Sequence, residues 1–168
     1  MYTESNIKLS CNVLWQKCVL ATLYRAAATH PKIKLLQFKL IPCPGMNKAI
    51  PSLMADFTGE LHRLISEYLQ CKRRKDKSVE PAPLYYLWSR EAVANDTTPY
   101  LMVLLLNNDV WCKSREVVVL RNLIEQAWGK VLDEDNSVTH LVVYPEVLSL
   151  VFDAANTYNA ELGVLEQT

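Results

Sequence analysis

Histidine and glycine are both scarce in this chain, and each shortage removes a class of chemistry. The histidines are His30, His62 and His140, with no HxH, HxxxH or HExxH spacing, so a histidine metal site would have to be assembled from distant residues. The four glycines form no phosphate-cradling loop. There is no excess of charge either. Eighteen Lys and Arg balance 18 Asp and Glu, and the formal net charge is +0. Bulk electrostatics therefore predicts no polyanion binding, and a nucleic-acid role needs a local basic patch. No apolar run approaches the ~20 residues of a membrane span. The N-terminus, MYTESNIKLS, lacks the charged and then apolar regions of a secretory signal. These absences predict a cytoplasmic protein without membrane partners. Cys11, Cys18, Cys43, Cys71 and Cys112 are odd in number, scattered, and never spaced CxxC. They predict reduced, mostly buried thiols rather than a disulfide framework.

What is present is a core. Half of the 168 residues are hydrophobic, which argues for one folded domain over residues 1–168. The organising stretch is Pro83–Asp109, PLYYLWSREAVANDTTPYLMVLLLNND. Two apolar runs, Leu84–Trp88 and Tyr100–Leu106, flank a polar connection too short for a crossover helix, so they predict an antiparallel strand pair. In the second run both alternating sets are apolar: Tyr100, Met102, Leu104 and Leu106, then Leu101, Val103 and Leu105. That strand should be covered on both faces.

The remaining elements follow from periodicity. Cys11, Leu14, Cys18, Ala21 and Tyr24 form a helical stripe within residues 6–29, which stops before His30-Pro31. Ile33–Ile41 alternates as a strand with one mixed face and ends at Pro42-Cys-Pro-Gly45. Ile50, Leu53, Met54, Phe57, Leu61, Leu64, Ile65 and Tyr68 mark a helix over 47–71. Asn107-Asn-Asp109 predicts a turn. Ser114 predicts the N-cap of a helix over 114–131, carrying Val117, Leu120, Ile124, Ala127 and Val131. Val138–Tyr144 predicts a short strand. Pro145 predicts the first turn of a last helix, with Val147, Val151, Ala154, Tyr158 and Leu162 on one face and Gly163 as its C-cap. The order α–βαββαβ–α predicts an α+β, ferredoxin-like antiparallel sheet of spatial order 4-1-3-2, with added N- and C-terminal helices.

The wording of several segments is similar to a known family. The strand LLQFKL, the segment PLYYLWSRE, the run TPYLMVLLLNND, the helix NLIEQAWGKVL and the strand HLVVYPE together resemble the YagK/YfjJ C-terminal-domain family of phage, prophage and inovirus proteins. That family is related to HUH replication initiators, which nick single-stranded DNA. The chemistry implied by the resemblance needs two histidines flanking one residue on a strand, a further polar ligand, a divalent cation, and a helical tyrosine as nucleophile. On this chain the histidine positions fall on Pro99 and Leu101, neither of which has a ligating atom. Glu91 matches the acidic ligand position and Tyr158 the helical tyrosine. On the residues alone Tyr158 reads as core, since it lies on the apolar stripe of the last helix. The resemblance with these departures implies a catalytically inactive relative that needs no cofactor.

Two modes of action remain. Lys72, Arg73, Arg74, Lys75 and Lys77, with Arg90, form the candidate DNA-phosphate contacts; the ordinary reading of the cluster is a solvated helix end. The alternative is a protein-interaction module, acting on a host or phage protein through a sheet edge or apolar patch and not on DNA. An exposed part of the N-terminal stripe would allow a homodimer. Asp56, Glu60, Glu67, Asp133, Glu134 and Asp135 form no catalytic motif.

Overall fold

The computed structural model describes residues 13–43, 50–75, 83–90, 98–133, 139–145 and 149–153. These make a mixed α+β structure built on an antiparallel sheet: α1 (Val13–Ala27), β1 (Lys32–Leu40), α2 (Ile50–Lys75), β2 (Tyr85–Ser89), β3 (Tyr100–Asn107), α3 (Asn108–Trp111), α4 (Ser114–Leu132), a 3-10 turn (Thr139–Leu141), β4 (Val142–Val143) and β5 (Ser149–Asp153). The spatial order is β2-β3-β1-β4, with β5 also paired to β1. The apolar runs around Pro83–Asp109 are indeed adjacent antiparallel strands, Tyr85 facing Leu105 and Ser89 facing Leu101.

β3 is covered on both faces. Tyr100, Met102, Leu104 and Leu106 join Leu36, Phe38 and Leu40 of β1 under α2 and α4, which contribute Leu53, Phe57, Leu61, Ile124, Ala127 and Trp128 among others. Val103 and Leu105 join Ile33 and Leu35 on the opposite face, closed by Leu23 and Ala26 of α1. The Trp128 indole donates through Nε1 to the Ile41 carbonyl at 3.0 Å, which satisfies its one donor and ties α4 to the end of β1.

Four expectations are corrected. α1 turns its Cys18, Ala21 and Tyr24 side outward and buries Thr22, Leu23 and Ala26 instead; Tyr24 is 51% exposed. Lys17 and Arg25 bracket the Cys18–Tyr24 stripe, so burying it would take two cations out of water. That orientation exposes Cys18, and the described thiols are not mostly buried: Cys71 and Cys112 are exposed too, Cys43 is half-buried, and none of the four is in a disulfide. The N-cap of α4 is Lys113 and not Ser114, and Asn107 caps the short α3 through a side-chain bond from the Asp109 amide, where a simple turn was expected.

The C-terminal end differs most. Residues 139–141 form a 3-10 turn and leave only Val142–Val143 as strand. Ser149–Asp153 is a strand on β1, so no helix runs on from Pro145. Val143 pairs with Lys39, and Ser149 pairs with Leu36. Between these two pairs β1 has only Gln37 and Phe38. The edge is one interrupted line of pairing to β1, and proline at 145 falls in the interruption, where no ladder N–H is needed. The rest of the expected last helix, including Tyr158, lies outside the described residues.

Candidate functional site

Strand alternation places Leu101 on the face that α1 covers in part. The buried cluster on that face ends at Leu35 and Val103. Beyond it, among the described residues, the face carries Leu101 and Ser89, both half-buried, Gln37, and the exposed Lys39 and Val143. Leu101 lies directly across from Lys39 on β1 and Ser89 on β2. Pro99 is exposed just before β3. Pro99 and Leu101, the positions the resemblance sets against ligand histidines, therefore sit at the start of a central strand, on or beside the open part of a sheet face. Neither side chain has a lone pair for a cation. Among the described residues no three His, Cys, Asp or Glu side chains converge as a ligand set.

Arg90 borders this region from the end of β2. Its guanidinium lies 4.5 Å from the centroid of the Tyr100 ring, and its Nε donates to the Thr98 carbonyl at 3.2 Å. Tyr100 is itself packed edge-on against Trp88 and Trp128, at 6.2 and 6.3 Å. Arg90 thus holds the start of β3 against the end of β2 through a cation–π contact and a backbone bond. The aromatic residues serve the core: Tyr100 is buried and Trp88 half-buried, while Tyr86 is 39% exposed.

The basic cluster divides. The Lys72 ammonium is bonded to one oxygen of Glu116, whose other oxygen accepts from the Tyr68 hydroxyl. Glu116 is buried in the first turn of α4, where the helix dipole favours a carboxylate. Burial works to raise its pKa, but the bonds from Lys72 and Tyr68 prevail and hold it below the usual range. The Tyr68 ring stacks on Trp111 at 5.7 Å, and burial and Glu116 together push its phenol up. This network joins α2 to α4, and it occupies Lys72. Arg73, Arg74 and Lys75 form the end of α2. Lys77, Glu91 and Tyr158 lie outside the described residues.

Two further groups escaped the sequence reading. His30 is buried, edge-on to Tyr85 at 6.1 Å, and lines a cavity of about 20 Å³ with Asn107, Leu106, Val110 and Trp111. That volume holds a single water and excludes a metabolite-sized ligand. Burial lowers the His30 pKa, against the pull of Asp109. Lys34 is buried too, donating from Nζ to the Trp111 carbonyl at 2.9 Å. The second group is electrostatic. Residues 5–55 contain no Asp or Glu, yet hold Lys8, Lys17, Arg25, Lys32, Lys34, Lys39 and Lys48. Counting charge along the chain, rather than over the whole, would have found it.

No curated protein and no solved structure matches the chain. The family model described as the YagK/YfjJ C-terminal domain matches residues 13–159, a span that includes every element from α1 to β5.

Proposed function

The chain belongs to the YagK/YfjJ C-terminal domain family, and from that premise we propose that it is a replication-initiator-like protein of a phage or mobile element that binds DNA without nicking it. The frame is a ferredoxin-like sheet extended by β5. One observation carries the reading: at the start of β3, where initiator chemistry needs two ligand histidines, stand the exposed Pro99 and the half-buried Leu101. A phenol such as Tyr158, with an ordinary pKa of about 10, is a weak nucleophile without a metal-polarised phosphate. Lys39 across from Leu101, and Arg73 and Arg74 at the end of α2, supply cations for non-covalent phosphate contact.

The test incubates purified protein with labelled single-stranded DNA, with and without manganese. The expected outcome is salt-sensitive, non-covalent retention, weakened in Arg73→Ala/Arg74→Ala, and no covalent adduct. An adduct that disappears in Tyr158→Phe would overturn the proposal.

A second reading, a protein-interaction module, draws on the β4–β5 edge of the sheet. Val143 on β4 and Val151 on β5 are 44% and 54% exposed. Exposed aliphatic groups beside an edge strand suit contact with another chain. Mass measurement in solution, repeated on Val143→Lys/Val151→Lys, tests whether this edge makes a dimer.

A further inference from the structure

The neutral total conceals two opposite parts. Residues 5–55 carry seven cationic side chains and no acid, so the remainder of the chain is anionic to the same extent. Of these cations Lys17 and Arg25 stand on α1 and Lys32, Lys34 and Lys39 on β1, with Lys34 buried and bonded to the Trp111 carbonyl; Lys8 and Lys48 lie outside the described residues. The described carboxylates Asp56, Glu60, Glu67, Asp109, Glu116 and Glu125 belong to α2, α3 and α4. Among the described residues the α1 side of the sheet, with Lys17, Arg25 and Lys39, carries none of these carboxylates, whereas the acids of the helix layer stand among Arg63, Lys72, Lys113, Arg115, Arg121 and Lys130. Asp153 of β5 pairs across from Lys32, which removes Lys32 from the argument.

On the outer side of α1 the exposed residues are Lys17, Cys18, Ala21, Tyr24 and Arg25, while Thr22, Leu23 and Ala26 face the sheet. Arg25 is steadied by a bond from its Nη2 to the Thr22 hydroxyl at 3.3 Å. Lys17 and Arg25 are eight residues apart, which is about 12 Å along a helix axis. That spacing is close to the ~12 Å width of the B-DNA major groove. Exposed Lys39 lies on the same sheet face, beyond the part that α1 covers.

We propose that the outer face of α1, through Lys17, Tyr24 and Arg25, docks on duplex DNA. The inference rests on the DNA-binding reading above and adds to it a second surface and a second form of the ligand. A rigid helix presents cations at a fixed spacing, and a duplex presents phosphates at fixed positions; a flexible single strand needs no such match. An acidic protein fits less well. Among the described residues of this face, Tyr24 is the one exposed large side chain with apolar surface, whereas protein interfaces are centred on several buried apolar and aromatic anchors.

The experiment compares wild type, Lys17→Glu/Arg25→Glu and the charge-conserving Lys17→Arg/Arg25→Lys for binding to one labelled mixed-sequence duplex and to one of its single strands, over a salt series. The charge-reversed pair is expected to lose at least about tenfold in duplex affinity, and its log–log salt slope to fall by about two. Single-strand affinity and the charge-conserving variant are expected to stay within about twofold of wild type. The charge-conserving pair, placed identically, controls for folding. Duplex binding that survives the reversal overturns the inference, as does a wild type that binds the single strand and not the duplex; in both cases the DNA-binding reading stands. A wild type that binds neither overturns both. Competition by polyglutamate as strong as by unlabelled duplex identifies an acidic-polypeptide surface and also overturns it.

Discussion

His30 shows how one side chain couples this fold to pH. It sits between the end of α1 and the start of β1, against Tyr85 of β2. Burial lowers its pKa from 6.5, so the folded state favours the neutral ring while the unfolded chain protonates normally. The stabilisation is complete above about pH 6.5 and is lost as pH falls from there through the depressed folded value. Urea midpoints are expected to drop from pH 7 to 5, and His30→Gln should flatten that drop; an unchanged slope would assign it elsewhere. Close by, across Trp111, Lys72→Met leaves the buried Glu116 carboxylate with the Tyr68 hydroxyl and, at 3.9 Å, the exposed Arg115 guanidinium as its described side-chain partners. The expected cost is about 3 kcal/mol in a denaturant titration. Because the Glu116 pKa is held low in the folded state, its contribution is present at neutral pH and lost as pH falls through that lowered value. The acid-induced loss should therefore be shallower in Lys72→Met.

At the scale of elements, α4 holds the helix layer together. Ile124, Ala127 and Trp128 are fully buried against the sheet, and Phe57 of α2 meets Trp128 edge-on at 5.6 Å. Ile124→Ala is expected to cost roughly 2–5 kcal/mol, the range for truncating a fully buried aliphatic. A change under about 0.5 kcal/mol, usual for surface sites, would mean that α4 does not seat as described. The helix ends where Asp133 takes a left-handed conformation, φ 57°, and its amide bonds the Gly129 and Lys130 carbonyls. α2 and α4 were legible because each has one strong apolar stripe. α1 was not, because local periodicity offers it two. The Lys17 and Arg25 that flank the wrong stripe were visible in the sequence and are what should have ranked the two.

At the scale of the molecule, the sheet is a partition with a fully covered face and a partly covered one. Removing residues 1–28 would expose Ile33, Leu35, Val103 and Leu105 together. The truncated chain is expected to bind a hydrophobic dye at neutral pH and to aggregate, and a truncation that stays monomeric without dye binding would show that α1 is dispensable for covering this face.

The two-sided apolar run of β3 determined, without tertiary information, that a central strand must be sandwiched between covers, since no other arrangement removes both of its side-chain sets from water. The same holds for the pairing of β2 with β3, forced by a connection too short to cross over, and for Pro99 and Leu101, whose lack of ligating atoms follows from their identity. The tertiary structure decided the rest. The apolar surface that α1 covers, Ile33, Leu35, Val103 and Leu105, exists only once β1 and β3 are paired. Ser149–Asp153 has an apolar pattern short enough for helix or strand, and the free edge of β1 chose strand by offering it a ladder to complete. Lys72 and Arg90 read as free cations until folding set Glu116 beside the one and the Tyr100 ring beside the other. A partner that arrives from 44 residues away leaves no mark on local periodicity.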